Sequence, residues 1–512
     1  MASSIVISSL DHSWTEGKSP SRTYQPLASP FRSAYPTGTR KCNDIFCLIP
    51  FLAVVVITVA FAVNYGNDLI DATRLTELSK SSGVELMLHI IGLSSLAAAG
   101  MSIIWIAVMV LLAEVLIWVT FVTIIALNVV ATILLMQKAL VSNSGWYWLA
   151  AMVFGLLALL VMLYTCYIHK RIKFAAAHLK VAGHAVFRLP MTIIVAIVMV
   201  GVQISWTIVW VVSSLGVVFH YGFLQLDDLL CTKERCDLEY EPAAIIVVLC
   251  LMLLTYFWIT FVLRNVIGVT TAGTIAAWKT ANNAPCITIE AWVRAMTLNL
   301  GSICLGSLIV AILETVVWLL HILTWLAGRS GNCCFVCLFS WLSRLVSSIE
   351  SWIECFNRFA FSYVGCYNYS FVRASRHVFK LFEAKGWSAI VNDHLIGNLC
   401  WLSSIVTGVL TAYVSLQLLV HATDSEEQLA VFLHPQVVSA FFCFVAGYGI
   451  NTLVMSVITS AVTTIFVLWA EDPTGWHLTR PRQYETLYKT WLEVYPNEFR
   501  TGSEVTHCRY HY

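Results

Sequence analysis

The stretch MTIIVAIVMVGVQISWTIVWVVSSLGVVF, Met191–Phe219, contains no Asp, Glu, Lys or Arg. An α-helix rises 1.5 Å per residue, so this run would extend roughly 43 Å, which exceeds the ~30 Å hydrocarbon core of a bilayer. Uncharged apolar runs of this length are typical of helices that cross a membrane. We therefore expect this stretch to be a transmembrane helix.

Comparable runs recur along the chain. Of its 512 residues, 59% are hydrophobic and only 12% charged, and the mean hydropathy is +0.78. Soluble domains carry about 25% charged residues, so the lipid bilayer must be part of this chain's solvent. The net charge of +1 gives no indication of a nucleic-acid partner. The pattern predicts an all-α, polytopic integral membrane helix bundle. The other apolar runs are Ile45–Asn64, Leu86–Leu112, Val115–Met136, Gly145–Ile168, Ala243–Leu263, Thr297–Leu323, Leu395–Val420 and Val437–Ala470.

The basic loop His169–Arg188 predicts the orientation of the bundle, because Lys and Arg concentrate in cytoplasmic loops. Counting back four spans from this loop places the N-terminus in the cytoplasm, and the C-terminus follows there. The expected domains are a disordered cytoplasmic tail over residues 1–43, a transmembrane domain over 44–473 and a cytoplasmic C-terminal tail over 474–512.

With nine spans, two consecutive spans do not connect on the same side of the membrane. The Thr297 span ends outside, whereas the Leu395 span must begin inside. We therefore expect a tenth, weak span between about Cys333 and Tyr369. A helix shielded within the bundle tolerates charges if they are paired. The alternative is a cytoplasmic amphipathic helix there, with a re-entrant segment near Arg264–Thr280. The charges that interrupt the weak span are Arg344, Glu350, Glu354 and Arg358.

Two cysteine groups stand out among the sixteen. Cys231 and Cys236 lie in a polar loop expected outside, where a disulfide between them or two free thiols are both open. The second group, Cys333, Cys334 and Cys337, lacks the paired spacing of structural zinc sites. Lipid attachment or packing is favoured for it, and no metal is expected.

Enzyme signatures are absent from the sequence. There is no GxSxG, HExxH, Walker A or GxGxxG motif. We therefore expect a protein that is not an enzyme and that needs no cofactor.

Ionisable and aromatic residues inside the spans are the candidate functional groups. Glu314 lies in the middle of LIVAILETVVWLL, where it either attracts a cation or proton or is simply hydrogen-bonded to a neighbouring helix. Aromatic faces hold quaternary ammonium groups, although most aromatic residues in membrane helices only pack or lie at the interface. The candidate substrate-binding aromatic residues are Trp206, Trp210, Tyr256, Trp258, Trp401 and Tyr448.

The last span is rich in small and polar residues. Ser456, Ser460 and Thr464 recur every four residues, which permits close packing of helices. Asn451 needs a partner or water and is a further candidate for substrate binding. A straight helix over Val437–Ala470 would extend roughly 50 Å, so we expect a bend or break near Gly447–Gly449.

Several segments resemble the choline transporter-like family. They are Thr255–Lys279 (TYFWITFVLRNVIGVTTAGTIAAWK), Thr297–Ile312 (TLNLGSICLGSLIVAI), Glu354–Asn398 and Leu453–Pro473 (LVMSVITSAVTTIFVLWAEDP). The resemblance implies about ten spans, cytoplasmic termini, and transport of choline or a related cation such as ethanolamine, by facilitated diffusion or proton-coupled exchange. Members lie in the plasma membrane or in internal membranes. Glu314 stands where the family leads us to expect an uncharged or amide side chain.

Two rival functions belong to other classes. One is a membrane enzyme acting on choline-containing lipids, which would need a titratable cluster at one membrane interface. The other is a trafficking or lipid-homeostasis protein without transport activity, whose working parts would be the tails and the stretch Arg373–Asp393. Uptake by purified protein in liposomes separates transport from both.

Overall fold

The computed structural model describes residues 42–73, 82–142, 144–220, 242–280, 286–422 and 435–495, and within them every regular element is an α-helix. The all-α prediction is therefore confirmed. Nine of these helices are long and apolar enough to cross a membrane. The twelve helices are α1 (Ile45–Thr73), α2 (Ser82–Ser142), α3 (Gly145–Arg188), α4 (Met191–His220), α5 (Pro242–Lys279), α6 (Ile287–Thr297), α7 (Leu300–Arg329), α8 (Cys333–Tyr367), α9 (Phe371–Ala422), α10 (Pro435–Glu471), α11 (Pro473–Thr479) and α12 (Pro481–Val494).

Helix α2 holds two passes. Its apolar part is 54 residues long, roughly 80 Å of helix, which is more than twice the hydrocarbon thickness. The helix is interrupted at Leu112, whose φ of −116° and ψ of 24° are not helical. Ile90 clusters with Leu419 and Cys443 at one end of the bundle, and Val110 abuts Gly183, beyond the span of α3, at the other. The chain thus reverses near Leu112, and the nine helices make ten passes.

The weak span expected between about Cys333 and Tyr369 is a continuous helix, the eighth pass along the chain. Cys333–Tyr367 forms α8, which is the least hydrophobic of the nine candidate spans. The re-entrant alternative is wrong, because Arg264–Thr280 does not loop back. Residues up to Lys279 instead continue α5, which places Arg264 inside the bundle rather than at a loop edge.

Both termini of the transmembrane domain lie at the same end of the bundle, here called the proximal end. The backbone N–H of Asn43 donates to the carbonyl of Leu298 at 3.1 Å. The carboxylate of Asp44 accepts from Ser302 Oγ at 2.6 Å and from the N–H of Phe371 at 2.8 Å. These contacts join the start of α1 to the starts of α7 and α9. The opposite end, where α1 ends, is here called the distal end.

Helix α10 is the central helix of the bundle. In its most apolar stretch 83% of the residues are buried, the highest share among the candidate spans. The break expected near Gly447–Gly449 is wrong, since α10 is helical without interruption from Pro435 to Glu471, whereas the alternative of a bend stays a prediction. Gly447 instead permits close packing, because a Cβ at this position would overlap the side chain of Thr411 on α9.

The first part of the predicted C-terminal tail folds back onto the bundle. Trp476 of α11 and Leu487 and Trp491 of α12 are buried. The indole of Trp491 donates to Nε2 of His178 at 3.2 Å, on the extension of α3 beyond its membrane span. Residues 1–41 and the cysteines Cys231 and Cys236 lie outside the described residues, so the disordered tail and the disulfide stay predictions.

Candidate functional site

An aromatic row links α4, α5 and α7. The rings of Trp210 and Tyr256 are 4.7 Å apart, and the indole of Trp210 donates to the carbonyl of Met252 at 2.7 Å. Phe257 follows Tyr256 and lies 6.2 Å from the ring of Trp318. The row presents aromatic faces from three helices, which is the kind of surface that attracts a cation.

Two carboxyl groups meet at the end of this row. The indole of Trp318 donates to Oε1 of Glu314 at 3.0 Å, and the carboxyl of Glu314 lies close to that of Glu350 on α8. Two ionised carboxylates this close repel each other, so a cation placed between them would be bound favourably. Trp318 is 49% exposed, so the pair is accessible from the surface of the bundle.

An ion network continues one turn along α8. Glu354 forms ion pairs with Arg264 of α5 and, at 3.3 Å, with Arg358. Arg358 also binds Asp393 of α9 at 2.7 Å. The network ties three helices together, and its two guanidinium and two carboxylate groups balance in charge. We expect the charges of the weak span to be tolerated if they are paired. Glu354 and Arg358 are paired in this way.

A small cavity of about 30 Å³ opens between this network and α10. Phe261, Arg264 and Asn265 line it from α5, and Ser456 and Thr459 line it from α10. This volume holds about one or two water molecules rather than an organic cation. A larger solute could occupy the cavity only if α5, α8 and α10 moved apart.

The other predicted residues of α4 and α5 lie next to the aromatic row or behind it. Trp206 is buried one turn before Trp210, and its indole N–H has no hydrogen-bond partner among the described residues. Trp258 turns away from the row, donates to the carbonyl of Cys304 at 3.0 Å and packs edge-on against Phe51. The geometry thus gives Trp258 a packing role between α1, α5 and α7.

The predicted residues of α9 and α10 lie apart from the row. Asn451 is buried and donates at 3.0 Å to both Ser403 and Ser404, while its Oδ1 has no partner within the described residues. Tyr448 stacks on Phe444 of its own helix. Trp401 is 57% exposed on the surface of the bundle.

Sequence reasoning missed the partners contributed by other helices. In the sequence, Arg264 follows the apolar run Ala243–Leu263 and Asp393 ends the stretch Arg373–Asp393, so neither is predicted to pair with the weak span. A pattern that could have revealed Arg264 is present, because the residues on both sides of it, ITFVL and VIGV, are apolar. No comparable pattern marks Asp393, which follows a polar segment and becomes a partner of Arg358 only through packing of α8 against α9.

Comparison with known proteins covers the helices that form this site. The family described as plasma-membrane choline transporter matches residues 152–474, from α3 to the start of α11. Protein PNS1 of Debaryomyces hansenii is 28% identical over 362 residues, which are 68% of this chain and 67% of that protein. Protein PNS1 of Mycosarcoma maydis is 28% identical over 387 residues, covering 71% of this chain and 68% of its own. A CTL-like protein of Dictyostelium discoideum is 24% identical over 352 residues, covering 66% and 56%. Since the family match extends over more than half of the chain, this multi-pass membrane protein belongs to the choline transporter-like family.

Proposed function

We propose that this protein transports choline or a related small organic cation, such as ethanolamine, across a membrane. The observation that carries the proposal is the carboxyl pair of Glu314 and Glu350 at the end of the aromatic row. A carboxylate inside a membrane span costs about 2.5–3.5 kcal/mol, so a cation that neutralises it is bound favourably. The family's description as a choline transporter supports the same function.

The substrate would bind in two parts. Aromatic faces of Trp210, Tyr256 and Trp318 would replace water around the ammonium group, each contact contributing about 0.5–2 kcal/mol. The carboxyl pair would supply the negative charge. Trp206 extends the row toward α4, whereas Trp258, Tyr448 and Trp401 are not included in the proposed site.

Release of the substrate requires the pair to regain a proton or another cation, because two adjacent ionised carboxylates repel each other. This requirement favours exchange of the organic cation against a proton over simple diffusion. The central cavity is too small for the substrate in this conformation, so passage requires α5, α8 and α10 to separate and close again. That motion is alternating access between the two ends of the bundle.

The plasma membrane is the proposed location, in agreement with the family description. The proximal end carries the basic segments around Arg171, Arg373 and Arg482, so we expect it to face the cytoplasm. Asn451, whose Oδ1 has no partner in the part of the chain that the structure describes, is proposed as a hydrogen-bonding group on the path rather than in the ammonium site.

The test is uptake of labelled choline into liposomes that contain the purified protein, with an imposed proton gradient of either direction. Ethanolamine and a neutral solute of similar size serve as comparison solutes. Glu314→Gln and Tyr256→Ala should each reduce the initial rate about tenfold, since each removes roughly 1–2 kcal/mol of cation binding.

Matched controls lie outside the site. Glu114→Gln changes an exposed carboxyl at the turn between the two passes of α2, and Trp401→Ala removes an exposed ring. Both should transport at the rate of the unaltered protein. Absence of saturable uptake by correctly folded protein would contradict the transport function and favour the lipid-homeostasis alternative. Equal losses in the controls and the site variants would contradict the proposed site alone.

A further inference from the structure

A second, larger cavity lies at the proximal end of the bundle, away from the proposed transport site. Its volume is about 620 Å³, and it lies between the extension of α3, the start of α6 and the two C-terminal helices. Four basic side chains line it: His184 and Arg188 from α3, and Arg480 and Arg482 around the start of α12. No Asp or Glu is among the described residues that line it.

The basic groups are close enough to repel one another. Burial, followed by repulsion from Arg188, Arg480 and Arg482, lowers the pKa of His184. Arg480 is held in place, since Nη2 donates to the carbonyl of Trp278 at 2.8 Å and its guanidinium lies 4.5 Å above the Trp278 ring. Like charges gathered around an open cavity create a positive potential that favours a bound anion.

Three helices also begin at this cavity. Residues lining it include Met191 at the start of α4, Ile287 at the start of α6 and Pro481 at the start of α12. Neither α6 nor α12 has a side chain that caps its first turn. The positive ends of these helix dipoles therefore add to the arginine side chains, and both favour a phosphate group.

The surroundings of the cavity indicate a lipid rather than a soluble anion. Phe187 and Met191 are 45% and 41% exposed, and Leu478, two residues before Arg480, is 74% exposed. Such apolar side chains beside a basic cavity, at the end of a transmembrane bundle, suit the region where lipid headgroups meet acyl chains. A soluble phosphate would gain nothing from them.

We propose that this cavity binds the phosphorylated headgroup of an anionic membrane lipid, with Arg188 and Arg482 as the groups that hold the phosphate and the acyl chains lying along Phe187, Met191 and Leu478. The site is independent of the transported solute. It joins α3, α4, α6 and the C-terminal helices, so the bound lipid stabilises the docking of α12 onto the bundle.

The experiment is thermal unfolding of the full chain in a neutral detergent, with increasing short-chain phosphatidylinositol 4-phosphate. Bound lipid should raise the unfolding temperature in a saturable way. Phosphatidylcholine of the same chain length and soluble inositol phosphate are tested separately. Neither should raise the unfolding temperature at the same concentration.

Arg188→Gln and Arg482→Gln should each weaken the apparent affinity for the lipid roughly tenfold, since each removes a charge-assisted hydrogen bond. Both side chains are exposed, so the variants should unfold at the normal temperature without lipid.

Lys489→Gln is the matched control, because Lys489 is exposed on α12 and does not line the cavity. It should bind the lipid with unchanged affinity. The proposal is overturned if no lipid raises the unfolding temperature, if phosphatidylcholine does so equally, or if the two arginine variants bind as the control does. Soluble inositol phosphate acting as strongly as the lipid would overturn the lipid assignment and leave an anion site.

Discussion

At the scale of single residues, Asp393 shows how the ion network depends on each member. Asp393 is 5% exposed and binds Arg358, which is itself 23% exposed and keeps Glu354 as a second partner. We expect Asp393→Asn to lower the free energy of unfolding by roughly 2–3 kcal/mol, below the ~3–5 kcal/mol range for fully buried pairs, because of that exposure and second partner. Reversible unfolding in mixed detergent micelles measures this difference.

The control for this variant is Glu383→Gln on the same helix, because Glu383 is exposed. It should change the free energy of unfolding by less than about 0.5 kcal/mol. A loss at Asp393 no larger than at Glu383 would mean that the network adds nothing to the stability of the bundle.

His178 predicts how stability depends on pH. Its Nδ1–H donates to the carbonyl of Phe174 at 2.9 Å and its Nε2 accepts from Trp491, so the ring is neutral, and burial lowers its pKa from the ordinary 6.5 to about 4. Between these values the unfolded chain binds the extra proton and the folded chain does not. Stability therefore contains a contribution of about 3 kcal/mol that is complete above pH 6.5 and is lost as the pH falls toward 4.

The measurement is the free energy of unfolding between pH 7 and pH 4 for the unaltered chain and for His178→Phe. The slope should be smaller in the variant, while His421→Phe, on the exposed end of α9, should keep the original slope. Identical slopes in all three proteins would show that His178 takes up its proton as readily in the folded chain as in the unfolded one.

How far the site could be predicted from sequence differs from residue to residue. Glu314 was identifiable because a single carboxyl interrupts a long apolar run. Its partner Glu350 stands out in the sequence only as a charge that interrupts the weak span, since the two are 36 positions apart and meet through the packing of α7 against α8. Residue type and periodicity reveal what lies on one helix, whereas the partner on the neighbouring helix depends on rotation and register, which a single sequence leaves open.

At the scale of helices, the contact between α9 and α10 depends on one glycine. A Cβ at Gly447 would overlap the side chain of Thr411, whereas a Cβ at Gly449 would meet nothing within 4 Å. We expect Gly447→Val to lower the unfolding temperature by several degrees, since overpacking costs roughly 1–3 kcal/mol. Gly449→Val, two residues along the same helix, should leave it nearly unchanged. Equal shifts in the two variants would contradict the close approach.

Lengths and composition predicted the helices well, and their internal geometry less well. All nine apolar runs coincide with helices that are long and apolar enough to cross a membrane. Helices are expected there because the hydrocarbon of a bilayer requires every backbone polar group to form an internal hydrogen bond. The break expected near Gly447–Gly449 does not occur, because α9 packs against this segment and holds it helical. Hydroxyl groups of α10 also bond back to its own carbonyls, as Thr452 does to Tyr448 at 2.8 Å. Polar character in this helix therefore reflects packing as much as any path for solute.

At the scale of the whole molecule, ten passes place both ends of the transmembrane domain on one side. The N-terminal contacts of Asp44 and the ion pair of Lys279 with Asp472, at 3.1 Å, lie at the same proximal end. The order of the helices along the chain could be predicted, including the tenth pass that parity required. The docking of α12 could not, since its buried Trp491 lies in a segment whose composition resembles a soluble tail.

The sidedness of the bundle can be tested with its exposed cysteines. Cys286 begins α6 at the proximal end, whereas Cys333, Cys334 and Cys337 begin α8 at the distal end. With the proximal end in the cytoplasm, a membrane-impermeant maleimide added to intact cells should modify the distal cysteines of protein at the cell surface. Cys286 should react only after the membrane is permeabilised. The readout is the mass of the labelled peptides. The other exposed cysteines, together with Cys231 and Cys236, are replaced by Ser.

Labelling of Cys286 alone would show that the bundle has the opposite orientation. Labelling of both groups from outside would show that α7 does not cross the membrane, because α7 is the single pass between Cys286 and Cys333.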